Sequence, residues 1–376
     1  MKKILLTLAL IFSINSAFAI NVKAKAYILK DINTGKILLE KNAYLTLPPA
    51  STTKLMTLYI LFEEIKNKNI KLSDKITISK TAWRKGGSKM FLDPGSKIRV
   101  VDLIKGIAVS SGNDASTAVA EYIAGSEKEF VKLMNKKANE LGMKRTNFVN
   151  ATGWDNKGHV STASDLALLG ERIIKDFPEF YKVFRLKSFK HNGIRQYNKN
   201  TLLGKLGVDG LKTGHVGSIG YNIVSSAKQN QLRYIVVILG AKSKALRESE
   251  AKKLYEYAYK KYKNIKLASS SETIAQAQVY LGKNKFIDAG LKEDLYMNLT
   301  QKEFDTLKAE VEYKPLINAP VYYGDVIGKL KITHSGQKVP LTYDLIAKTP
   351  SAKLQMFEKL DAMLDYKFNK QSYTNY

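Results

Sequence analysis

Cysteine is absent from this chain of 376 residues, and histidine occurs only four times. The lack of cysteine excludes disulfides, zinc–thiolate sites and a cysteine nucleophile, so the hydrophobic core must stabilise the fold alone. The histidines are widely separated, and no His-Glu-x-x-His pattern is present. They are His159, His191, His215 and His334. We therefore expect no metal site and no cofactor.

Long hydrophobic runs are also lacking, except at the beginning of the sequence. There, Met1-Lys2-Lys3 precedes an apolar run over residues 4–14, and the small-residue pattern Ala17-Phe18-Ala19 follows. This order predicts a secretory signal peptide over residues 1–19. A first transmembrane helix is the alternative, but the run is shorter than the ~20 residues that a membrane span needs. We expect an exported protein of the cell envelope, on the periplasmic face of the cytoplasmic membrane.

Acidic residues are few compared with basic ones, 34 against 61, and the formal net charge is +27. A field of this size attracts polyanions. The lysines are nevertheless scattered, and neither zinc-finger spacing nor the aromatic signature of an RNA-binding module is present, so we expect no nucleic-acid partner. Anionic lipid and acidic cell-wall polymer suit an exported protein better.

The spacing of apolar residues predicts an α+β fold. Residues 26–40 alternate as a β-hairpin does, and residues 219–227 and 233–240 are long enough for central strands of one sheet. Residues 100–141 have helical spacing, and another helix begins near Ser51. The inward positions expected in the helices of residues 100–141 are Leu103, Ile104, Ile107, Ala118, Val119, Tyr122, Phe130, Leu133 and Met134.

The pattern changes after Lys263. Short alternating segments predict a small β-rich domain, and an apolar stripe over residues 351–370 predicts an amphipathic helix. The alternating segments are residues 309–313, 321–323, 326–332 and 339–343. We divide the mature chain into a main domain (20–263), a β-rich domain (264–349), and an amphipathic helix and tail (350–376). We expect this helix to dock on an anionic membrane surface. Packing on the β-rich domain is the alternative, because the helix carries several acidic residues that anionic lipid would repel.

Three short motifs, far apart in the sequence, carry the candidate chemistry. They are Ser51-Thr52-Thr53-Lys54, Ser111-Gly112-Asn113 and Lys212-Thr213-Gly214. A serine nucleophile needs a nearby base, a polar group that passes the proton on, and a cation for an anionic substrate. Ser51 and Lys54 lie one helical turn apart, so their side chains can touch. Taken singly, the motifs also fit a helix N-cap, a loop and a solvated lysine.

In this order the motifs resemble those of the penicillin-recognising serine enzymes, and the chain is similar to the low-molecular-mass D-alanyl-D-alanine carboxypeptidases. The resemblance covers nearly the whole mature chain. The matching segments are Pro49-Ala50-Ser51-Thr52-Thr53-Lys54, Met90-Phe91-Leu92, Ser111-Gly112-Asn113-Asp114-Ala115, Gly193-Ile194-Arg195-Gln196, Asp209-Gly210-Leu211-Lys212-Thr213-Gly214-His215 and Gly220-Tyr221-Asn222. The family implies a β-lactamase/transpeptidase-like catalytic domain, in which helices pack on an antiparallel sheet.

The resemblance implies a serine enzyme that removes the terminal D-alanine from peptidoglycan stem peptides and is acylated by β-lactam antibiotics. Ser51 would be the nucleophile, and Lys54 its base, with a pKa lowered by burial and by the charge of Lys212. Ser111 would relay the proton to the leaving amine. Asn113 would hold both Lys54 and the substrate amide.

The resemblance also implies that the third motif and an arginine bind the substrate. Lys212 and Thr213 would hold the terminal carboxylate, and Gly214 would let the substrate backbone approach closely. The backbone N–H groups of Ser51 and His215 would form the oxyanion hole. Arg247 matches the family's carboxylate-binding arginine, although its spacing fits a surface charge paired with Glu250 nearly as well.

Other assignments remain open on the sequence alone. A Ser-His-Asp triad lacks the Gly-x-Ser-x-Gly elbow, and a class A β-lactamase would need a Glu-x-x-Leu-Asn pattern that is missing between Asn113 and Lys212. A noncatalytic cell-wall-peptide-binding module would not need the complete proton-transfer set. In addition, Lys199 stands where several carboxypeptidases have arginine, which keeps the charge without the planar fork.

Overall fold

The computed structural model of this protein describes residues 20–314, 316–335, 337, 339–355 and 358. The predicted signal peptide and most of the predicted terminal helix lie outside the described residues. The chain divides into two compact units, and the second begins at Lys261. None of the helices in the described ranges has both the length and the apolar character needed to cross a membrane.

A five-stranded antiparallel sheet with the order β2-β1-β9-β8-β7 forms the centre of the first unit. The strands of this unit are β1 (Ala26–Asp31), β2 (Ile37–Lys41), β3 (Lys75–Thr77), β4 (Lys97–Arg99), β5 (Ser188–His191), β6 (Ile194–Tyr197), β7 (Val208–Val216), β8 (Gly220–Gln229) and β9 (Leu232–Ala241). The predicted hairpin is confirmed as the β1–β2 pair. The two predicted central strands are confirmed as β8 and β9, which are buried along most of their length because both faces of the sheet are covered.

Helices enclose this sheet, and all of them except the last one share one core with it. They are α1 (Lys54–Lys66), α2 (Lys80–Arg84), α3 (Val100–Lys105), α4 (Asn113–Ala124), α5 (Glu127–Leu141), α6 (Ala163–Asp176), α7 (Pro178–Tyr181) and α8 (Lys244–Lys261). Helix α6 packs closely on the sheet at Gly170, where a Cβ atom would lie 2.5 Å from Ile235 Cδ1 and 3.2 Å from Val224 Cγ1. Helix α1 is buried from Lys54 to Phe62, so the residues just after Ser51 lie inside the protein.

Two of the predicted inward positions are wrong. Tyr122 is 44% exposed and Leu133 is 38% exposed, whereas the other predicted positions are buried. Full burial in helix α4 ends at Ala120, and in its last turn Ile123 and Ala124 still pack against the core whereas Tyr122 does not. Helix α5 buries a stripe of every fourth residue that passes through Met134, and Leu133 lies about 100° away from it around the helix axis.

The second unit is rich in β-structure. Its strands are β10 (Lys263–Ala268), β11 (Ala275–Gln278), β12 (Phe286–Gly290), β13 (Leu295–Leu299), β14 (Lys308–Tyr313), β15 (Val326–Thr333) and β16 (Leu341–Ala347), and a short helix, α9, spans Gln301–Asp305. They form a five-stranded sheet with the order β11-β12-β16-β15-β14 and a pair, β10-β13. The predicted strand over residues 321–323 is wrong, because Val321 forms only an isolated bridge with Ser351.

We expect Phe62→Ala to lower the free energy of unfolding of the first unit by about 3–5 kcal/mol, because it opens a cavity among packed aromatic rings. Phe62 is fully buried and stacks on Phe180 with a centroid distance of 5.0 Å. Urea unfolding followed by tryptophan fluorescence measures the effect, since both tryptophans, Trp83 and Trp154, lie in this unit. Tyr197→Ala, at a position that is 70% exposed, should change the free energy of unfolding by less than about 0.5 kcal/mol. Equal effects of the two exchanges would contradict the prediction.

Candidate active site

Ser51 lies in a single 3-10 turn, Ala50–Thr53, directly before helix α1. Asn222 of strand β8 fixes the approach to this turn, since its Nδ2 donates hydrogen bonds to Pro48 O at 3.0 Å and Pro49 O at 3.2 Å. The Asn222 Oδ1 accepts a hydrogen bond from Gly240 N of β9 at 2.9 Å. The turn that carries the candidate nucleophile is therefore attached to the two central strands.

The Lys54 side chain is fully buried, and its amine has three oxygen neighbours. Nζ lies 3.1 Å from Ser51 Oγ, 2.6 Å from Asn113 Oδ1 and 2.5 Å from Thr152 O. The Asn113 and Thr152 oxygens can only accept hydrogen bonds. A neutral amine has two protons and one lone pair, so it satisfies both carbonyl-type oxygens and directs its lone pair at the serine hydroxyl. The geometry thus fits an uncharged Lys54 that receives the proton of Ser51.

Electrostatics favour this uncharged form. Burial, helped by the charge of Lys199, lowers the pKa of Lys54 to about 7, against the weaker opposite effects of Asp114 and Glu127. The resemblance to the carboxypeptidases had implied Lys212 as the cation that lowers this pKa. Repulsion between Lys54 and Lys212 instead depresses the pKa of Lys212, which burial already lowers well below its usual range.

Ser111 and Asn113 lie on either side of the start of helix α4. A π-helical turn, Gly106–Ser110, comes first, and Ser111 then adopts a left-handed conformation with φ of 64°. This conformation is strained for a residue other than glycine, and such strain is typical of functional sites. Asn113 donates through Nδ2 to Gly86 O at 2.6 Å while its Oδ1 contacts Lys54. The Ser111 Oγ is buried and has no hydrogen-bond partner in the described parts of the chain.

Lys212, Thr213 and Gly214 lie inside strand β7. Strand β7 is at the edge of the sheet, and Gly214 faces the turn of Ser51. A Cβ atom on Gly214 would lie 3.0 Å from Ala50 Cβ and 3.1 Å from Ser51 N. The close approach that requires glycine is thus to the protein's own nucleophile turn. The His215 side chain is exposed and packs on Tyr221.

Arg247, in the first turn of helix α8, is only 3% exposed. Its guanidinium donates to Glu248 Oε1 at 3.0 Å and to Lys199 O at 3.3 Å, while Nε has no partner among the described residues. The alternative of a surface pair with Glu250 is wrong, because Glu250 is buried and bonds Lys253. The charges of Arg247 and Lys199 both act on Lys212, so three cationic groups share one region.

The segment that supplies Thr152 O contains none of the three motifs and was not predicted from the sequence. Asn150 shapes it, since Asn150 Oδ1 accepts hydrogen bonds from Gly153 N at 2.7 Å and from the backbone N–H groups of Thr152 and Trp154. Gly153 has φ of 81°, and a Cβ atom there would lie 1.9 Å from Ala50 O. An asparagine three residues before a glycine indicates a turn. It does not reveal that the turn directs a carbonyl oxygen at the lysine. Among the described residues, no group of histidine and acidic side chains could hold a metal ion.

Comparison with known proteins identifies two family models along this chain. The model of D-alanyl-D-alanine carboxypeptidases of peptidase family S11 matches residues 13–243, and the model of the C-terminal domain of penicillin-binding protein 5 matches residues 262–351. Among curated proteins, the D-alanyl-D-alanine carboxypeptidase DacC of Escherichia coli K12 is 39% identical over 328 residues, which cover 85% of this chain and 82% of DacC.

The solved structures that are similar to this chain include penicillin-binding proteins. Penicillin-binding protein 5 from Haemophilus influenzae is 35% identical, with a TM-score of 0.76 over 90% of this chain and the whole of that chain. Penicillin-binding protein D2 from Listeria monocytogenes, solved with bound ampicillin, is 30% identical, with a TM-score of 0.59 over 64% of this chain and 99% of that chain.

Lys199→Met should raise the pKa of Lys54 above its value of about 7, because it removes a cation that disfavours the ammonium form. NMR titration of ¹³C-labelled lysine side chains measures this shift, with the Lys54 signal assigned from its loss in Lys54→Arg. Lys190→Met, at an exposed position, is the matched control and should leave the titration unchanged. An unchanged midpoint in Lys199→Met would show that the charge of Lys199 does not reach Lys54.

Proposed function

This chain belongs to the D-alanyl-D-alanine carboxypeptidase family and is a serine peptidase of that kind, and we propose that it removes the terminal D-alanine of peptidoglycan stem peptides through an acyl-enzyme on Ser51. One observation carries the proposal. The buried Lys54 amine, whose pKa is lowered to about 7, lies 3.1 Å from the Ser51 hydroxyl. A neutral amine at this distance is a competent general base.

In the proposed acylation, Ser51 Oγ bonds to the carbonyl carbon of the penultimate D-alanine, and its proton passes to Lys54 Nζ. The backbone N–H groups of Ser51 and His215 stabilise the negative charge that develops on the carbonyl oxygen. The C–N bond then breaks, and the amine of the terminal D-alanine takes up a proton. Water hydrolyses the resulting ester and restores Ser51, with Lys54 again as the base.

Ser111 is proposed to carry the proton from Lys54 to the leaving amine. Its buried Oγ has no hydrogen-bond partner in the described chain, so it is free to accept a proton on one side and donate on the other. Asn113 keeps Lys54 oriented through the 2.6 Å contact and is proposed to contact the substrate amide as well.

The terminal carboxylate of the substrate is proposed to bind at Lys212, Thr213 and Arg247. Arg247 keeps its charge at all relevant pH values, and its buried Nε lacks a partner in the described residues. An arriving carboxylate would offset the mutual repulsion of the cations and raise the pKa of Lys212 again. A requirement for a free carboxylate distinguishes a carboxypeptidase from an endopeptidase, which cuts inside a chain.

β-Lactams are proposed to acylate the same serine, in line with the ampicillin-bound structure of the Listeria relative. The strained amide of the drug takes the place of the D-Ala-D-Ala bond, and its carboxylate takes the place of the substrate carboxylate. Ser51, Lys54, Ser111 and Asn113 are all present, which favours chemistry over a purely binding module. The missing class A glutamate pattern argues against efficient drug hydrolysis.

Ser51→Ala should abolish both reactions, lowering the release of D-alanine from a diacyl-Lys-D-Ala-D-Ala peptide by about 10⁴-fold or more. Mass spectrometry after treatment with fluorescent penicillin should find one adduct on Ser51 in the wild-type protein and none in the variant. Ser225→Ala is the matched control, because Ser225 and Lys228 repeat the Ser-x-x-Lys spacing on strand β8. D-alanine release at the wild-type rate from Ser51→Ala would refute the mechanism.

We also propose that residues 1–19 direct export, and that the mature chain, with domains at 20–263 and 264–349, works at the periplasmic face of the cytoplasmic membrane. Its family of cell-wall carboxypeptidases is consistent with an envelope location. Residues 350–376 are proposed to dock on anionic lipid, with packing on the β-rich domain as the alternative.

Truncation after Gln355 should move the protein from the membrane fraction to the soluble fraction. This end point keeps Ser351, whose Oγ donates to Asn284 O at 2.9 Å, so the β-rich unit stays intact. Replacing residues 356–376 by a Gly-Ser tail of equal length controls for chain length and should have the same effect. Persistence of the truncated protein in the membrane fraction would favour the packing alternative.

A further inference from the structure

His159 is a buried histidine that the proposed mechanism does not use. It is 2% exposed, and both of its ring nitrogens are engaged. Nδ1 accepts a hydrogen bond from Val149 N at 2.9 Å, and Nε2 lies 2.8 Å from Thr53 Oγ1. A backbone N–H can only donate, so Nδ1 carries no proton. The neutral ring therefore has its proton on Nε2 and donates it to the Thr53 hydroxyl.

These two hydrogen bonds join the two segments that hold the base. Thr53 lies in the turn between Ser51 and Lys54. Val149 begins the segment that leads to Thr152, whose carbonyl oxygen accepts a hydrogen bond from Lys54 Nζ. The imidazole thus connects the start of helix α1 with the backbone that orients its lysine.

We propose that His159 is a positioning residue of the acyl-transfer site, whose neutral imidazole couples the Ser51–Lys54 turn to the segment carrying Thr152 O and so keeps the Lys54 amine aimed at Ser51. The inference rests on the proposed roles of Ser51 and Lys54. It requires one donor and one acceptor at this place, not an imidazole as such.

The surroundings keep the ring uncharged. Burial is the main cause that lowers the pKa of His159 to about 4, and the charge of Lys54 acts in the same direction, while Asp155 opposes them. Protonation would place a hydrogen on Nδ1, opposite the N–H of Val149, and would break that hydrogen bond. At neutral pH the coupling is therefore intact.

Exchange of His159 for leucine and for glutamine tests the proposal, with acylation by fluorescent penicillin and D-alanine release as readouts. His159→Leu removes donor and acceptor, and should slow acylation and lower kcat by about ten- to a hundredfold through a misplaced amine. KM should change little, because Lys212 and Arg247 are untouched. His159→Gln offers an amide oxygen to Val149 N and an amide N–H to Thr53, and should recover the rate to within about threefold of wild type. His334→Leu, the same exchange in the other unit, should have no effect.

Thr53→Val provides a second variant in case His159→Leu does not fold. It keeps the size of the side chain and removes only the oxygen that receives the Nε2 proton, so it should slow acylation severalfold. Wild-type acylation in His159→Leu or in Thr53→Val would overturn the proposal, as would His159→Gln being as slow as His159→Leu. None of these outcomes bears on the nucleophile, whose assignment fails only if Ser51→Ala still forms the adduct.

Discussion

The Lys54 amine lies in the protein interior with neutral oxygens as its hydrogen-bond partners, and each proposed proton transfer depends on this environment. Two carboxylates are close enough to influence the amine, but both are committed elsewhere. Asp114 accepts hydrogen bonds from Met90 N and Leu92 N, and Glu127 binds Lys85 and Ala151 N. A carboxylate in direct contact would stabilise the ammonium and remove the base. The hydrogen-bond partners of these acids hold both carboxylates out of direct contact with the lysine, so their effect on its pKa stays weak.

Close backbone packing fixes the position of the turn that carries Ser51. Gly153 and Gly214 approach the Ser51 turn from two sides, and at each of them a Cβ atom would press on Ala50 or on Ser51 N. Asn222 holds the same turn to the sheet. Because the turn is fixed by rigid strands and by a shaped loop, the serine hydroxyl and the lysine amine meet without a flexible element between them. This arrangement limits the reorganisation that the reaction requires.

The parts of the site that depend on local spacing could be predicted from the sequence, and those that depend on long-range backbone contacts could not. Ser51 and Lys54 are neighbours on one helical turn, so their contact follows from helix geometry. The carbonyl of Thr152 has no side-chain signature, and the link from His159 to Thr53 spans more than a hundred residues. The same distinction applies to the fold. Periodicity identified strands β8 and β9 correctly, yet it placed Tyr122 and Leu133 inside, because it cannot tell where a helix leaves the core.

The site carries an excess of positive charge and unpaired polar atoms, and the proposed binding of a substrate carboxylate gives this excess a physical reason. The charges of Lys199 and Arg247 disfavour a charge on Lys212, and burial weakens the hydration of Lys212 and Arg247. The Arg247 Nε and the Ser111 Oγ lack partners in the described residues, and an unsatisfied buried group of this kind typically costs about 1–3 kcal/mol. A bound carboxylate and peptide would relieve both penalties. Lys54 differs from these groups because its partners are already complete. Binding of a substrate carboxylate as proposed can therefore restore the charge of Lys212 without adding a partner to Lys54.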